Sequence, residues 1–176
     1  MSQALETGAR PLPTELPSST SATTYQEGMI AGVLGAASIA LLLLVVDTIR
    51  GRPLLTPTVL GTAIFRGGQG LDSPETLAIS GEMVFLFTWI HTLVFAGIGG
   101  LAAHGVALAE RDSHLGFGLV LLFVGLEIGF VLASLVVAET VLTAIPWQAV
   151  LAGNLLAAAV MATYLVRRHP NLRILP

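Results

Sequence analysis

Apolar residues fall into four long runs, over about 28–47, 83–104, 115–138 and 146–166, separated by polar or mixed stretches. Each run reaches the roughly 20 helical residues needed to cross a hydrocarbon core about 30 Å thick. Backbone polar groups in lipid need partners within their own segment, so runs of this length read as helices and not as lone strands. The first stops at Asp47 and Arg50, the last at Arg167, Arg168, His169 and Pro170. The pattern predicts an all-α fold, an integral membrane four-helix bundle over residues 27–170, with both termini on one side, called side A.

The segments outside the runs differ in kind. Residues 1–26, centred on PLPTELPSSTSATT, carry too little apolar surface to fold alone and are expected to form a disordered arm. They lack the basic start, short apolar core and small-residue cleavage site of a signal peptide, so the tail is expected to be kept. Residues 171–176 form a short C-terminal tail. The connection over 48–82, on side B, is far longer than is usual between bundle helices and is expected to hold structure of its own. Two short interfacial helices are predicted there. Thr56-Pro57 resembles an N-cap with proline at the first helical position before TVLGTAIF, and Ser73-Pro74-Glu75 repeats that signal before TLAI. The intervening Arg66-Gly-Gly-Gln-Gly70 is a turn that fails as a phosphate loop, because no lysine or hydroxyl residue follows its glycines.

Small residues recur at helical spacing in every run: Gly28, Gly32 and Ala36; Ala96 with Gly100 and Gly99 with Ala103; Gly125 with Gly129; Gly153 with Ala157–Ala159. Such stripes let helix backbones approach where water does not drive association. They suit packing inside the bundle or docking on another subunit. Tyr25 and Tyr164 on side A and Trp147 on side B fall where interfacial aromatic belts are expected.

Composition agrees with this pattern. Of 176 residues, 54% are hydrophobic and 11% charged, with a mean hydropathy of +0.83, which places the chain in the membrane class. Cysteine is absent, which removes disulfides, thiolate metal sites and thiol nucleophiles. A net charge of −3 argues against a nucleic-acid partner. Near the membrane, Arg111, Arg167, Arg168 and Arg173 lie on side A and Arg50, Arg52 and Arg66 on side B. The count favours cytoplasmic termini and a bacterial inner membrane location, although Arg50 and Arg52 flank the first span and pull the other way.

Ionisable groups inside a span are functional candidates by default. His91 lies roughly 13 Å from side B, Glu127 about 12 Å and Asn154 roughly 10 Å, by the 1.5 Å rise per residue, so three helices are expected to bring polar groups to one layer. Thr88 and Ser134 share faces with His91 and Glu127. Three readings of this layer stand: interhelical hydrogen bonding at about 1 kcal/mol per bond, a site for a polar headgroup such as a quinone carbonyl, or a proton-handling pair. A di-iron carboxylate centre is excluded, because the runs hold one deep glutamate and no Glu-x-x-His pair. His104, thirteen residues after His91, is a candidate axial ligand for haem or a pigment, with Gly100 one turn earlier leaving room for a flat ring. It lacks a histidine partner at matching depth; only His114 or His169 at the membrane surface could meet it. No metal site and no complete catalytic set is apparent, the chain is read as a non-enzyme, and no cofactor is required by the sequence.

The run from Val46-Asp47 through Gly51-Arg52-Pro53-Leu-Leu-Thr56-Pro57-Thr-Val-Leu60-Gly61 resembles an uncharacterised group of bacterial four-span membrane proteins. The likeness extends to Trp89-Ile-His91, to Glu127, to Trp147–Asn154 and to Tyr164-Leu-Val-Arg-Arg-His169-Pro170, and covers about 28–172. Its most specific part is GRPxxTPxxLG. The resemblance implies four helices with an interfacial segment on side B, and no activity. The leading expectation is a non-catalytic accessory or stabilising subunit of a larger bacterial membrane complex, respiratory or photosynthetic, whose partners are the lipid bilayer and other membrane subunits or further copies of itself. The alternative is a module that binds a quinone, haem or pigment, or handles a proton, through His91, Glu127 and Asn154. A minimal transporter would call for broken spans and an inverted repeat, and neither is visible.

Overall fold

The computed structural model describes residues 18–71, 73, 76–110 and 147–169. Within them the chain forms four helices and no strand: α1 (Ser18–Ile49), α2 (Leu55–Phe65), α3 (Gly81–Ala109) and α4 (Trp147–Arg168). Three contain segments long and apolar enough to cross a membrane, Ala22–Ile49, Gly81–Ala109 and Gln148–Arg168. These are the first, second and fourth predicted runs. The third, 115–138, lies outside the described residues, with Glu127, Ser134, Gly125 and Gly129.

Helix α1 starts at Ser18, inside the segment expected to be a disordered arm. Propagation adds one bond per residue once a helix is nucleated, and the polar extension is anchored by two of its own side chains. Tyr25 lies flat against His104 of α3, and Glu27 reaches the end of α4. Residues 1–17 of the arm lie outside the described residues.

Helix α1 occupies the middle, packed along both α3 and α4, which barely touch each other. Its contact with α3 is backbone against backbone. A Cβ placed on Gly28 would lie 2.5 Å from the Gly99 carbonyl oxygen, one on Gly32 would overlap the Phe95 carbonyl, and one on Gly99 would overlap the Gly28 carbonyl. The stripes of the first and second runs are therefore used on each other, which is close packing of the kind that small residues permit. Against α4, Gly35 receives the Met161 side chain and Gly153 faces Ile39 and Leu42. Two apolar clusters follow: Ala31, Ala103, Met161 and Leu165 towards side A, and Ile39, Leu43 and Ala157 towards side B.

The side B connection closes the other end. Helix α2 buries Thr56, Thr58, Val59, Gly61 and Thr62, and Gly61 sits against the Met83 backbone at the start of α3. Val59 and Leu71 form a third cluster, joined by Leu55, Leu60, Ala63, Leu77 and, from α4, Val150. The helix at TVLGTAIF exists, but Thr56 is not its N-cap. That place is taken by Leu54 in a left-handed conformation (φ 68°) with no side-chain cap. The capping comes from α1: the Asp47 carboxylate accepts the Thr56 backbone N–H and the Thr56 hydroxyl, each at 2.7 Å.

The expected second short helix at TLAI is absent. A single turn closes at Thr76, whose N–H and hydroxyl both donate to Ser73 O, and Leu77–Ser80 is non-helical. Distant side chains hold it so: Arg52 donates to the Leu77 carbonyl, and Thr58 Oγ1 accepts the Ser80 N–H at 3.4 Å. The Ser80 N–H has a single hydrogen to give, and spent on Thr58 it is not available to the Thr76 carbonyl that a continuing helix would offer. Ser80 then caps α3 by accepting the Met83 N–H.

Candidate functional site

His91 stands on α3 between two aromatic rings one turn away on either side. Its ring lies 5.4 Å from that of Phe87 and 4.7 Å from that of Phe95, the spacing at which aromatic pairs interact favourably. The imidazole forms a hydrogen bond with the backbone of Ala36 on α1, and its Nε2 is buried without a partner. One nitrogen is thus tied and the ring plane fixed, while the other nitrogen points into the packing unsatisfied. A bond to a backbone group selects which nitrogen carries the proton.

The hydroxyls nearest in sequence do not extend this site. Thr88 Oγ1 donates to Val84 O and Thr92 Oγ1 to Thr88 O, both within α3, the back-bonding usual for threonine inside a helix. Asn154, the α4 member of the expected layer, is half-buried beside Gly153, whose backbone meets Ile39 and Leu42 of α1. His91 thus reaches α1 at Ala36, and Gly153, the neighbour of Asn154, meets α1 at Ile39 and Leu42. Glu127, the third member, lies outside the described residues.

His104 is exposed on α3, its ring 6.1 Å from that of Tyr25 and 5° from parallel. The flat space above Gly100, read from sequence as room for a macrocycle, is filled by this tyrosine: a Cβ on Gly100 would sit 3.6 Å from Tyr25 Cδ1. His104 does not meet His169, and His114 lies outside the described residues.

Among the described histidines, the one with the most polar surroundings is His169, which sequence reasoning used as a helix stop and as a possible partner of His104. His169, just past α4, has Nδ1 3.0 Å from Glu110 Oε2 at the end of α3 and Nε2 3.5 Å from Glu27 Oε2 on α1. Arg168 Nη1 lies 3.9 Å from Glu27 Oε1, and its guanidinium lies 5.6 Å from the Tyr164 ring centroid, within cation–π range. No sequence signal joins residues so far apart in the chain; the one available hint was that all three sit where a run meets side A.

On side B the charged groups brace the connection. Asp47 is 2% exposed and engaged with Thr56, Arg52 holds Leu77, and Arg66 pairs with Glu82 at 3.0 Å on the surface. No group of three histidine, aspartate or glutamate side chains among the described residues is placed to hold a metal ion. Comparison with protein-family models, with curated proteins and with solved structures finds no match.

Proposed function

We propose that this chain is a four-span integral protein of a bacterial inner membrane, related to the four-span group its Gly51–Gly61 run resembles. It acts without catalysis as a small accessory or stabilising subunit of a larger membrane assembly, in energy transduction. The observation that carries this reading is the use of its polar side chains. At side A, Glu27, Glu110 and His169 join three helices; at side B, Asp47, Arg52 and Thr58 hold the connection. Between these ends α1 and α3 are in backbone contact. What such a body offers outward is apolar surface. Phe85, Trp89, Leu93 and Leu101 are 67%, 68%, 63% and 73% exposed, and with Gly97 they form one i, i+4 ridge of α3, the kind of ridge that seats in the groove of another helix.

The test is affinity purification of the full chain from native membranes in mild detergent, with mass spectrometry of co-eluting proteins and extracted small molecules. Larger membrane proteins in fixed stoichiometry, lost on Trp89→Ala with Leu93→Ala, support a subunit docked by α3. Elution of the chain alone, unchanged by chemical crosslinking in the membrane before extraction, overturns it.

The unpartnered Nε2 of His91 favours a second reading. A ring held by Ala36, Phe87 and Phe95 presents one nitrogen ready for a polar group of a quinone or pigment, with Glu127 and Asn154 as the remaining expected contacts. A co-purifying small molecule lost in His91→Phe, with the protein still accumulating, supports it.

A further inference from the structure

We propose that α2 is a membrane-immersed helix, sunk in the side B leaflet with its outer edge against phospholipid acyl chains. Its polarity is the reverse of a helix that floats on a bilayer. The polar residues of α2 are Thr56, Thr58 and Thr62, and all three are buried in the protein. The residues that keep appreciable exposure are Leu55, Pro57, Leu60, Ala63, Ile64 and Phe65, every one apolar. Pro57, Leu60 and Ile64 follow at helical spacing and define the outer edge, and Ile64 and Phe65 are 55% and 42% exposed. A helix lying in the headgroup plane keeps a charged or polar face for water, and α2 has no such face.

Lipid also demands that backbone polar groups find partners inside the protein, and both ends of α2 meet that demand. Asp47 accepts the Thr56 N–H at the start, and the Thr62 carbonyl accepts the Arg66 and Gly68 N–H groups at the finish. The level fits as well. Thr56 meets Asp47 near the end of α1, Gly61 meets Met83 near the start of α3, and the Val59 and Leu71 cluster meets Val150 near the start of α4. By the rise per residue, α2 thus lies across the spans about 3–5 Å inside their ends. Charge around it matches a phosphate layer. Ile49, the last residue of α1, is 80% exposed, and Arg50 beside it is exposed with no acidic partner among the described residues. A guanidinium in that position suits the paired oxygens of a lipid phosphate. The inference rests on the membrane reading of the chain and is independent of the subunit reading, which uses the ridge on α3.

The experiment uses the full chain in nanodiscs of phosphatidylcholine and phosphatidylglycerol. Because the sequence has no cysteine, single spin labels can be placed by Ile64→Cys and, separately, Phe65→Cys. Gln69→Cys, in the exposed turn after α2, and Leu41→Cys, exposed on α1, serve as references. Each label is read by its collisions with oxygen, which concentrates among acyl chains, and with a water-soluble nickel chelate. The expected result is oxygen accessibility above nickel accessibility at Ile64 and Phe65, as at Leu41, with a depth of about 5–10 Å below the headgroups, and the reverse at Gln69. Nickel accessibility at Ile64 and Phe65 equal to that at Gln69, with Leu41 still in lipid, overturns the proposal, because α2 then stands in water. Protection of both positions from both reagents also overturns it, because protein and not lipid then covers the edge. Nickel access at Leu41 as well would overturn the membrane reading itself. Either of the two α2 labels suffices if the other variant fails to fold.

Discussion

Asp47 and Thr56 are joined by two hydrogen bonds of 2.7 Å, one to the backbone N–H and one to the hydroxyl, in a pocket that leaves each residue at most 4% exposed. The last turn of α1 thereby supplies the acceptor that the first turn of α2 lacks, since the residue preceding α2 is a leucine. First-turn N–H groups have no partner within their own helix, and here the partner comes from a residue nine positions earlier.

Asp47→Ala should therefore lower stability by about 1–3 kcal/mol, the cost of leaving buried donors unsatisfied. Glu82→Gln, which breaks the exposed pair with Arg66, should change stability by less than about 1 kcal/mol. Thermal or denaturant unfolding in one detergent, read by helical circular dichroism, compares the two directly; equal losses would contradict the buried, bracing role of Asp47.

Glycines of one helix should respond in opposite ways. Gly99→Ala drives a methyl group into the Gly28 carbonyl and must separate two backbones, at about 1–3 kcal/mol or more. Gly97→Ala meets nothing within 4 Å and should be neutral, or stabilising by up to about 1 kcal/mol through helix propensity. Melting temperatures of the two variants, two positions apart in α3, check the interface without any need for a functional assay.

His91→Phe should leave the fold intact. Phenylalanine fills the same place between Phe87 and Phe95, the Ala36 carbonyl keeps its place in the α1 ladder, and the orphaned Nε2 is removed. Losing one hydrogen bond while removing one unsatisfied atom nearly balances, so a net change within about 1 kcal/mol is expected. Unfolding curves of this variant, taken beside its extracted small molecules, separate a structural histidine from a binding one.

The three described spans were legible because length and continuous apolarity are properties of the chain alone. So was the use of Gly28, Gly32 and Gly99, whose spacing announces a close approach. What spacing does not announce is which stripe meets which: the pairing of α1 with α3, and of Gly153 with Ile39, depends on the arrangement of whole helices. The polar details failed for a related reason. Thr56-Pro57 is a good local start signal, yet the cap belongs to Asp47. TLAI has adequate helical residues, yet Arg52 holds the Leu77 carbonyl within it and Thr58 takes the Ser80 N–H just after it. In each case a side chain from another element overrode a correct local preference. Glu27 and Glu110 were not singled out, and His169 was read as the stop of the last run and as a possible partner of His104, since nothing in sequence shows that three separate helix ends converge.

The expected layer was legible only in part. His91 is an unsatisfied group, as an ionisable residue in an apolar run suggests, but its partner is a backbone carbonyl, which no residue pattern encodes. Around His104 the space inferred from Gly100 is real and is taken by Tyr25, a residue assigned from sequence to the interfacial belt.

The central position of α1 sets an order on synthesis. Ribosomes make α1 before the helices that cover it, so Ala31 and Ile39 must wait, sheltered by lipid or by the insertion machinery, until Met161, Leu165 and Ala157 have emerged. The hairpin of α1 and α3 can close early on its glycines, but the fold cannot finish until α4 arrives. His169, immediately behind α4, is then among the last side chains to find its place, and its two carboxylates come together only in a chain whose every described helix has already been inserted.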